Sequence, residues 1–290
     1  MDYNLTSLNV IPARLVSPES WVKHLPFGFF CVQILKPNLI MELGVHTGNS
    51  FCGFAEASKL FQTNTKIYGA DTFEGEVHAG FYDDNIYNEL NSYIKQNFNE
   101  NVSLMKMRFE EAVTYFSDES IDILHIDGLH TYEAVKSDYD LWIKKVKKNG
   151  VILFHDTLVK RDGFGVWKLW EEIKDKHYYS HEFQFGHGLG VIALGENELV
   201  KVLRTISSEM GIDKFFLPAG ERNEWLYQFR KMSAIADEER RKFEYVRDVE
   251  LAGMRKHRDE YKALMDSLTS RLSFKLYYFP IHLAKKIFRR

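Results

Sequence analysis

The stretch Leu39-Ile40-Met41-Glu42-Leu43-Gly44-Val45-His46-Thr47-Gly48-Asn49-Ser50 decides the fold of this chain. An apolar run of strand length leads to Glu42, two glycines four positions apart follow, and a helical pattern begins at about Ser50. The pattern predicts a strand, a tight turn and a helix. Glycine lets the backbone come close to a ligand, and the free N–H groups of the following helix favour an electron-rich group. Because an unpaired buried carboxylate is costly, core packing does not account for Glu42, and an ordinary surface turn is the alternative.

Three further short apolar runs also end in an acid. They cover residues 67–71, 121–127 and 151–156. Asp71 ends the second of the four runs. It follows the first run at roughly the interval at which a doubly wound sheet places a carboxylate on a ribose. Because open α/β sheets bind ligands beyond the carboxyl ends of their strands, the pattern predicts one ligand-binding edge built from four strands.

With these motifs in order, the chain resembles the class I S-adenosylmethionine-dependent methyltransferases. It is similar, more narrowly, to the branch that includes sugar and macrolide O-methyltransferases, through residues 71–82 (DTFEGEVHAGFY), 126–138 (IDGLHTYEAVKSD) and 150–156 (GVILFHD). The resemblance covers about Asn38 to Leu194. A dinucleotide-binding dehydrogenase is the competing reading, but its G-x-G-x-x-G turn is absent and no second mononucleotide-binding half follows.

The predicted fold class is α/β, with a doubly wound, mostly parallel seven-stranded sheet that ends in an antiparallel hairpin. A helical extension follows at the C-terminal end. The predicted organisation is an N-terminal helical cap (residues 1–37), a cofactor-binding methyltransferase domain (38–222), a long amphipathic helix (223–270) and a basic aromatic tail (271–290).

Composition bounds the class of protein. The 290 residues are 45% hydrophobic and 27% charged, as in an ordinary globular protein, and the net charge of -3 gives no overall attraction to nucleic acid. Both cysteines, Cys31 and Cys52, lie in apolar helical patterns, which argues against disulfides and cysteine metal sites. No signal peptide or membrane-spanning run is visible, so we expect a cytoplasmic protein.

The C-terminal segments leave two questions open. An apolar stripe that includes Leu251, Tyr261 and Leu268 predicts either packing on the main domain or self-association. Residues 271–290 interleave aromatic and aliphatic residues with six basic ones and hold no acid. They predict contact with an anionic membrane surface at its inner face, or an ordinary docking segment.

The resemblance implies S-adenosylmethionine as the cofactor and assigns its parts. Gly44 and Gly48 would approach the amino acid part, with Glu42 supporting that end, and Asp71 would accept hydrogen bonds from the ribose. Phe109 occupies the usual place for contacts to adenine. The expected cofactor-binding set is Glu42, Gly44, Gly48, Asp71, Phe109 and Asp127.

The acceptor side should contain Asp127, His130, His155 and Asp156, with His78 reaching in from the loop after the second strand. In one reading, Asp127 and Asp156 hold magnesium or manganese, although His155 stands where metal-dependent relatives often have an acid. In the other, His130 or His155 is a general base, and His130 is favoured. We therefore expect Asp127, His130 and His155 to be catalytic.

These residues predict an S-adenosylmethionine-dependent O-methyltransferase acting on a hydroxyl of a sugar, in a bacterial surface polysaccharide or a glycosylated natural product. The alternatives are N-methylation of an amino sugar and a non-catalytic scaffold in a glycan-assembly complex. The expected partners are a small-molecule or glycan acceptor and a second copy of the chain, with no nucleic acid.

Overall fold

The computed structural model describes residues 6–76, 80–81, 84–161 and 163–287. The chain forms two compact units, Met1–Gln228 and Phe229–Arg290. Within the described residues, no helix is both long enough and apolar enough to cross a bilayer.

The first unit contains a seven-stranded sheet and a small two-stranded ribbon. In chain order the strands are β1 (Leu39–Leu43), β2 (Lys66–Asp71), β3 (Gly75–Glu76), β4 (Gly80–Phe81), β5 (Val102–Lys106), β6 (Ile121–Ile126), β7 (Val146–His155), β8 (Tyr179–Phe183) and β9 (Leu189–Ala193). The order in the main sheet is β5-β2-β1-β6-β7-β9-β8, and β3 pairs with β4. The first five strands of that order run parallel, and β9 is antiparallel to both β7 and β8. The predicted doubly wound sheet with a terminal hairpin is confirmed.

Helices cover both faces of this sheet. The α-helices of the described chain are α1 (Thr6–Asn9), α2 (Leu25–Leu35), α3 (Asn49–Phe61), α4 (Asp84–Asn97), α5 (Phe109–Ala112), α6 (Tyr132–Trp142), α7 (Val166–Ile173), α8 (Glu198–Glu209) and α9 (Ile212–Ile287). Side chains of α2, α3 and α8 pack into one hydrophobic core, and those of α6 and α7 pack into the other.

The segment expected to be a cap supplies a layer of the first core. Phe27, Phe29, Phe30 and Val32 of α2 are each at most 1% exposed. Because α2 is apolar on all sides, it can be stable only when buried, and it lies within the first unit.

Three local differences from the predicted elements have physical causes. The loop after Asp71, expected to be irregular, contains the β3–β4 ribbon. β7 begins at Val146, which pairs with Ile121, rather than at the expected Gly150. The helix α8 was not predicted. It is capped by Asn197, whose Oδ1 accepts a hydrogen bond from Val200 N at 2.9 Å, and the buried side chains of α8 recur at helical spacing.

The second unit is described here by the part of α9 that begins at Phe229. The apolar side chains of the predicted stripe from Leu251 to Leu268 are exposed by 41–65%. Leu272 and the side chains of the predicted tail, residues 271–290, lie outside the described side chains.

Candidate active site

A cavity of about 580 Å³ lies at the carboxyl ends of β1, β2, β6 and β7. This volume suits a small-molecule ligand. Because these four strands are parallel neighbours, their ends bring separate parts of the sequence to one edge. The predicted site residues that line the cavity are Gly44, Gly48, Asp71, Phe109, Asp127, His130, His155 and Asp156.

The glycine turn (residues 44–48) forms one wall of this cavity. Gly44 and Gly48 have φ angles of +86° and +82°, in the left-handed region that glycine adopts without strain. A Cβ on Gly44 would lie 2.0 Å from the carbonyl oxygen of Asp127. The sequence therefore requires glycine at position 44 because two strand ends meet there.

Asp71 holds the glycine turn in place. Its Oδ2 accepts hydrogen bonds from Val45 N at 2.9 Å and His46 N at 2.8 Å, and its Oδ1 accepts from Phe73 N at 2.7 Å. A carboxylate oxygen has two lone pairs, so Oδ1 keeps one acceptor site for the expected ribose contact. Glu74, which the sequence analysis did not select, also lines the cavity.

Glu42 occupies a different place from the one expected, because it is fully buried and does not line the cavity. Its Oε1 accepts a hydrogen bond from Ser50 Oγ at 2.6 Å and lies 3.5 Å from His125 Nδ1. Trp21 Nε1 donates to His125 Nε2 at 3.0 Å. Burial raises the pKa of Glu42, and His125 opposes that shift. Glu42 therefore acts on the site through Ser50 and Trp21, which do line the cavity.

The cavity lining also includes a carboxylate–histidine cluster (Asp127, His130, His155 and Asp156). His130 Nε2 lies 2.9 Å from Asp156 Oδ2 and 3.5 Å from Asp127 Oδ1. His155 Nδ1 lies 3.3 Å from Asp127 Oδ1 and 3.4 Å from Asp156 Oδ1. The four residues expected on the acceptor side are thus in mutual contact.

The charges of this cluster stabilise one another. Burial by itself lowers the pKa of His155, but Asp127 and Asp156 raise it to about 10. Burial by itself would raise the pKa of both carboxyls, yet the charge of His155 and hydrogen bonds from His130 hold them below their usual range. Behind His155, burial and the charge of His155 lower the pKa of His24 to about 3. His155 is therefore the cation that balances the two carboxylates.

A divalent metal fits one side of the cluster. Among the described residues, Asp127, His130 and Asp156 each offer one ligand atom, and these atoms lie within 4.8 Å of one another. Asp156 Oδ1 is buried and accepts no hydrogen bond from the described part of the chain. Two carboxylates and one imidazole suit manganese or iron better than magnesium. His155 is not a member of this ligand set.

The remaining cavity wall comes from residues that the sequence analysis did not assign to the site. Arg161 and Phe164 lie in the loop between β7 and α7, and His187 lies in the turn of the β8–β9 hairpin. Their signal in the sequence is position alone: the first loop follows His155, and the hairpin turn ends at Leu189, which pairs with His155. Phe73 is 1% exposed and packs on Tyr87, so it belongs to the core. His78 lies outside the described residues.

Part of the chain is similar to known proteins. Residues 41–157 match the family model of a methyltransferase domain. Over 227 residues the chain is 35% identical to "Uncharacterized protein y4gI" of Sinorhizobium fredii, an alignment that covers 76% of this chain and 25% of that protein. The chain thus spans about a quarter of the length of this relative.

Solved structures with similar folds include two O-methyltransferases. The Bacillus cereus enzyme in complex with S-adenosylhomocysteine is 16% identical, with a TM-score of 0.46 over 65% of this chain and 86% of that one. TomG of Streptomyces achromogenes, in complex with S-adenosylmethionine, is 11% identical, with a TM-score of 0.48 over 65% of this chain and 90% of that one.

Proposed function

We propose that this chain, whose residues 41–157 match the family model of a methyltransferase domain, is an S-adenosylmethionine-dependent O-methyltransferase that acts on a hydroxyl of a sugar or glycan. One observation carries the proposal. A single cavity is lined both by the glycine turn, which suits the cofactor, and by the carboxylate–histidine cluster, which suits removal of a hydroxyl proton.

The cofactor half of the cavity is assigned from its walls. The backbone of residues 44–48 faces the amino acid part, and the N-terminus of α3 begins directly after it at Asn49. Asp71 Oδ1 receives a ribose hydroxyl, and Phe109 lies at the adenine end beside Gly128. Ser50 and Trp21, held by Glu42 and His125, fix the floor between these contacts.

The reaction joins an acceptor oxygen to the methyl carbon as the carbon–sulfur bond breaks, so sulfur leaves as a neutral thioether and the hydroxyl loses its proton. His130 can take that proton, with Asp156 orienting the ring through Nε2. In the alternative, Asp127, His130 and Asp156 would hold a divalent metal, whose Lewis acidity would lower the pKa of the acceptor hydroxyl. In both cases the protein holds acceptor and methyl in line, and positioning supplies much of the rate.

The sugar acceptor is the finer part of the proposal. It is supported by the segments at 71–82, 126–138 and 150–156, which resemble the sugar and macrolide branch.

We place the enzyme in the cytoplasm, at the inner face of the membrane, through the basic and aromatic residues 271–290. The exposed apolar stripe from Leu251 to Leu268 supports self-association. Vesicle binding and the molar mass in solution test these two points.

The first test is isothermal titration of the folded protein with S-adenosylmethionine, followed by mass spectrometry of products from a panel of glycans. We expect cofactor binding and a mass gain of one methyl group on a hydroxyl. A folded protein that binds no cofactor would rule out the enzyme and favour a scaffold, and methyl on nitrogen would assign N-methylation. Loss of activity with a chelator and its rescue by manganese would assign the metal, while resistance would assign His130 as base.

A further inference from the structure

We infer that the methyl acceptor carries an anionic group, a phosphate or a carboxylate, and that Arg161 binds it. The inference rests on the proposed function and adds the chemical class of the acceptor. It starts from the acceptor wall (Arg161, Phe164 and His187), which lines the same cavity as the carboxylate–histidine cluster.

The guanidinium of Arg161 is connected to the reacting groups through one aromatic ring. The Cζ of Arg161 lies 4.6 Å from the ring centroid of Phe164. That ring stacks on the imidazole of His130, with centroids 4.8 Å apart and an interplanar angle of 21°. Phe164 is 5% exposed, whereas Arg161 is exposed. The buried ring of Phe164 thus contacts both the accessible guanidinium of Arg161 and the imidazole of His130, the proposed base.

Backbone hydrogen bonds fix the loop that carries this cation. Gly165 N donates to the carbonyl oxygen of His130 at 2.7 Å, and Leu158 N donates to that of His187 at 2.9 Å. Phe164 N donates to the carbonyl oxygen of Arg161 at 3.1 Å. Described residues on both sides of Arg161 are therefore hydrogen-bonded to residues that line the cavity.

Within the described part of the chain, no acidic side chain forms an ion pair with Arg161. The two carboxylates on this side of the cavity, Asp127 and Asp156, already face His130 and His155. A guanidinium offers a planar pair of donors that matches a carboxylate or a phosphate. An anionic group on the acceptor supplies a partner for this guanidinium.

The neighbouring cation provides a matched control. Lys160 Nζ lies 5.3 Å from the ring centroid of Trp167 and is not among the residues that line the cavity. Replacing Lys160 removes the same charge from the same loop without changing the acceptor wall. Arg161→Lys is a second comparison, because it keeps the charge and loses the planar donor pair.

The experiment is calorimetry of the protein loaded with S-adenosylhomocysteine, titrated at constant ionic strength with glucose 1-phosphate, glucuronic acid or glucose. We expect one anionic probe to bind more tightly than glucose. Whichever of glucose 1-phosphate and glucuronic acid has the higher affinity identifies the anionic group as phosphate or carboxylate. Arg161→Gln should weaken that binding by about tenfold, the loss of a charge-assisted pair, while Lys160→Gln leaves it unchanged.

Two results would overturn the role of Arg161. They are equal affinity for glucose and both anionic probes, and equal affinity of wild type and Arg161→Gln for the anionic probes. Absence of binding of S-adenosylhomocysteine in the first step would instead contradict the proposed function. Circular dichroism of each variant shows whether it folds. If Arg161→Gln does not fold, Arg161→Lys is titrated in its place, and we expect its affinity to lie between that of wild type and that expected for Arg161→Gln.

Discussion

His130 Nε2 lies 2.9 Å from Asp156 Oδ2, although 26 positions separate these residues in the chain. The contact forms because β6 and β7 are adjacent parallel strands that end at the same edge. It orients the imidazole in the cavity and forms part of either proposed route for proton removal.

Asp156→Asn removes the carboxylate that orients His130. We expect the turnover number to fall by about 100-fold or more, because the variant loses either a positioned base or a metal ligand. Cofactor affinity should stay the same, since Asp156 lies on the acceptor side. Steady-state kinetics and calorimetry measure the two quantities, with Asp140→Asn on the exposed face of α6 as the control. A variant with wild-type turnover would contradict the role of the pair.

Gly44→Ala tests the close approach of two strand ends. A Cβ at this position would lie 2.0 Å from the carbonyl oxygen of Asp127, and φ is +86°. We expect destabilisation by about 3 kcal/mol or more and loss of cofactor binding, since the backbone must move. Gly253→Ala, where no atom lies within 4 Å, should leave both unchanged or raise stability slightly. Denaturant unfolding checks the prediction, which fails if the two variants behave alike.

Trp21→Phe tests the hydrogen bond from Trp21 to buried His125, whose other ring nitrogen lies 3.5 Å from Glu42 Oε1. The variant leaves His125 Nε2 without its donor, which should cost about 1–3 kcal/mol of stability. Trp225→Phe is the matched control, because Trp225 is 64% exposed and Trp21 is 3% exposed. Urea midpoints measure the difference. Equal midpoints for both variants would show that the indole N–H does not contribute.

Asp71→Asn tests whether this residue organises the glycine turn. One carboxylate oxygen of Asp71 accepts from Val45 N and His46 N, and the other accepts from Phe73 N. The side-chain amide of the variant has only one oxygen, so it cannot accept all three hydrogen bonds in this way. We expect lower stability together with cofactor affinity reduced by about tenfold or more. Glu74→Gln should reduce affinity without a change in the urea midpoint. An Asp71→Asn protein of wild-type stability would argue against the turn-holding role.

Asp138 should make stability depend on pH. Burial, assisted by the charge of Glu110, raises the pKa of Asp138 to about 7 in the folded state. The folded protein then holds a proton that the unfolded chain has lost, so this contribution is complete below the unfolded pKa and disappears as pH rises through 7. Between about pH 5 and about pH 8 we expect a loss of about 2–3 kcal/mol. Urea unfolding of Asp138→Asn, which should lose this slope, checks the assignment, and a slope equal to that of wild type would refute it.

Much of the fold could be predicted because it depends on local patterns. Apolar runs of strand length, each ending in an acid, predicted four of the five parallel strands, and the terminal antiparallel hairpin was also predicted. The start of β7 and the presence of α8 were not predicted. Pairing with Ile121 decides where β7 begins, and packing in the core stabilises α8.

The sequence by itself determined which residues stand at the strand ends, since an apolar run and a terminal acid are properties of neighbouring positions. Only the tertiary structure decided that Glu42 is buried beneath the turn, that Asp71 binds the turn's backbone, and that the Arg161 guanidinium is carried next to His130 by Phe164. These relationships join residues far apart in the chain. Their distances depend on how strands and loops pack, and no local pattern encodes that packing.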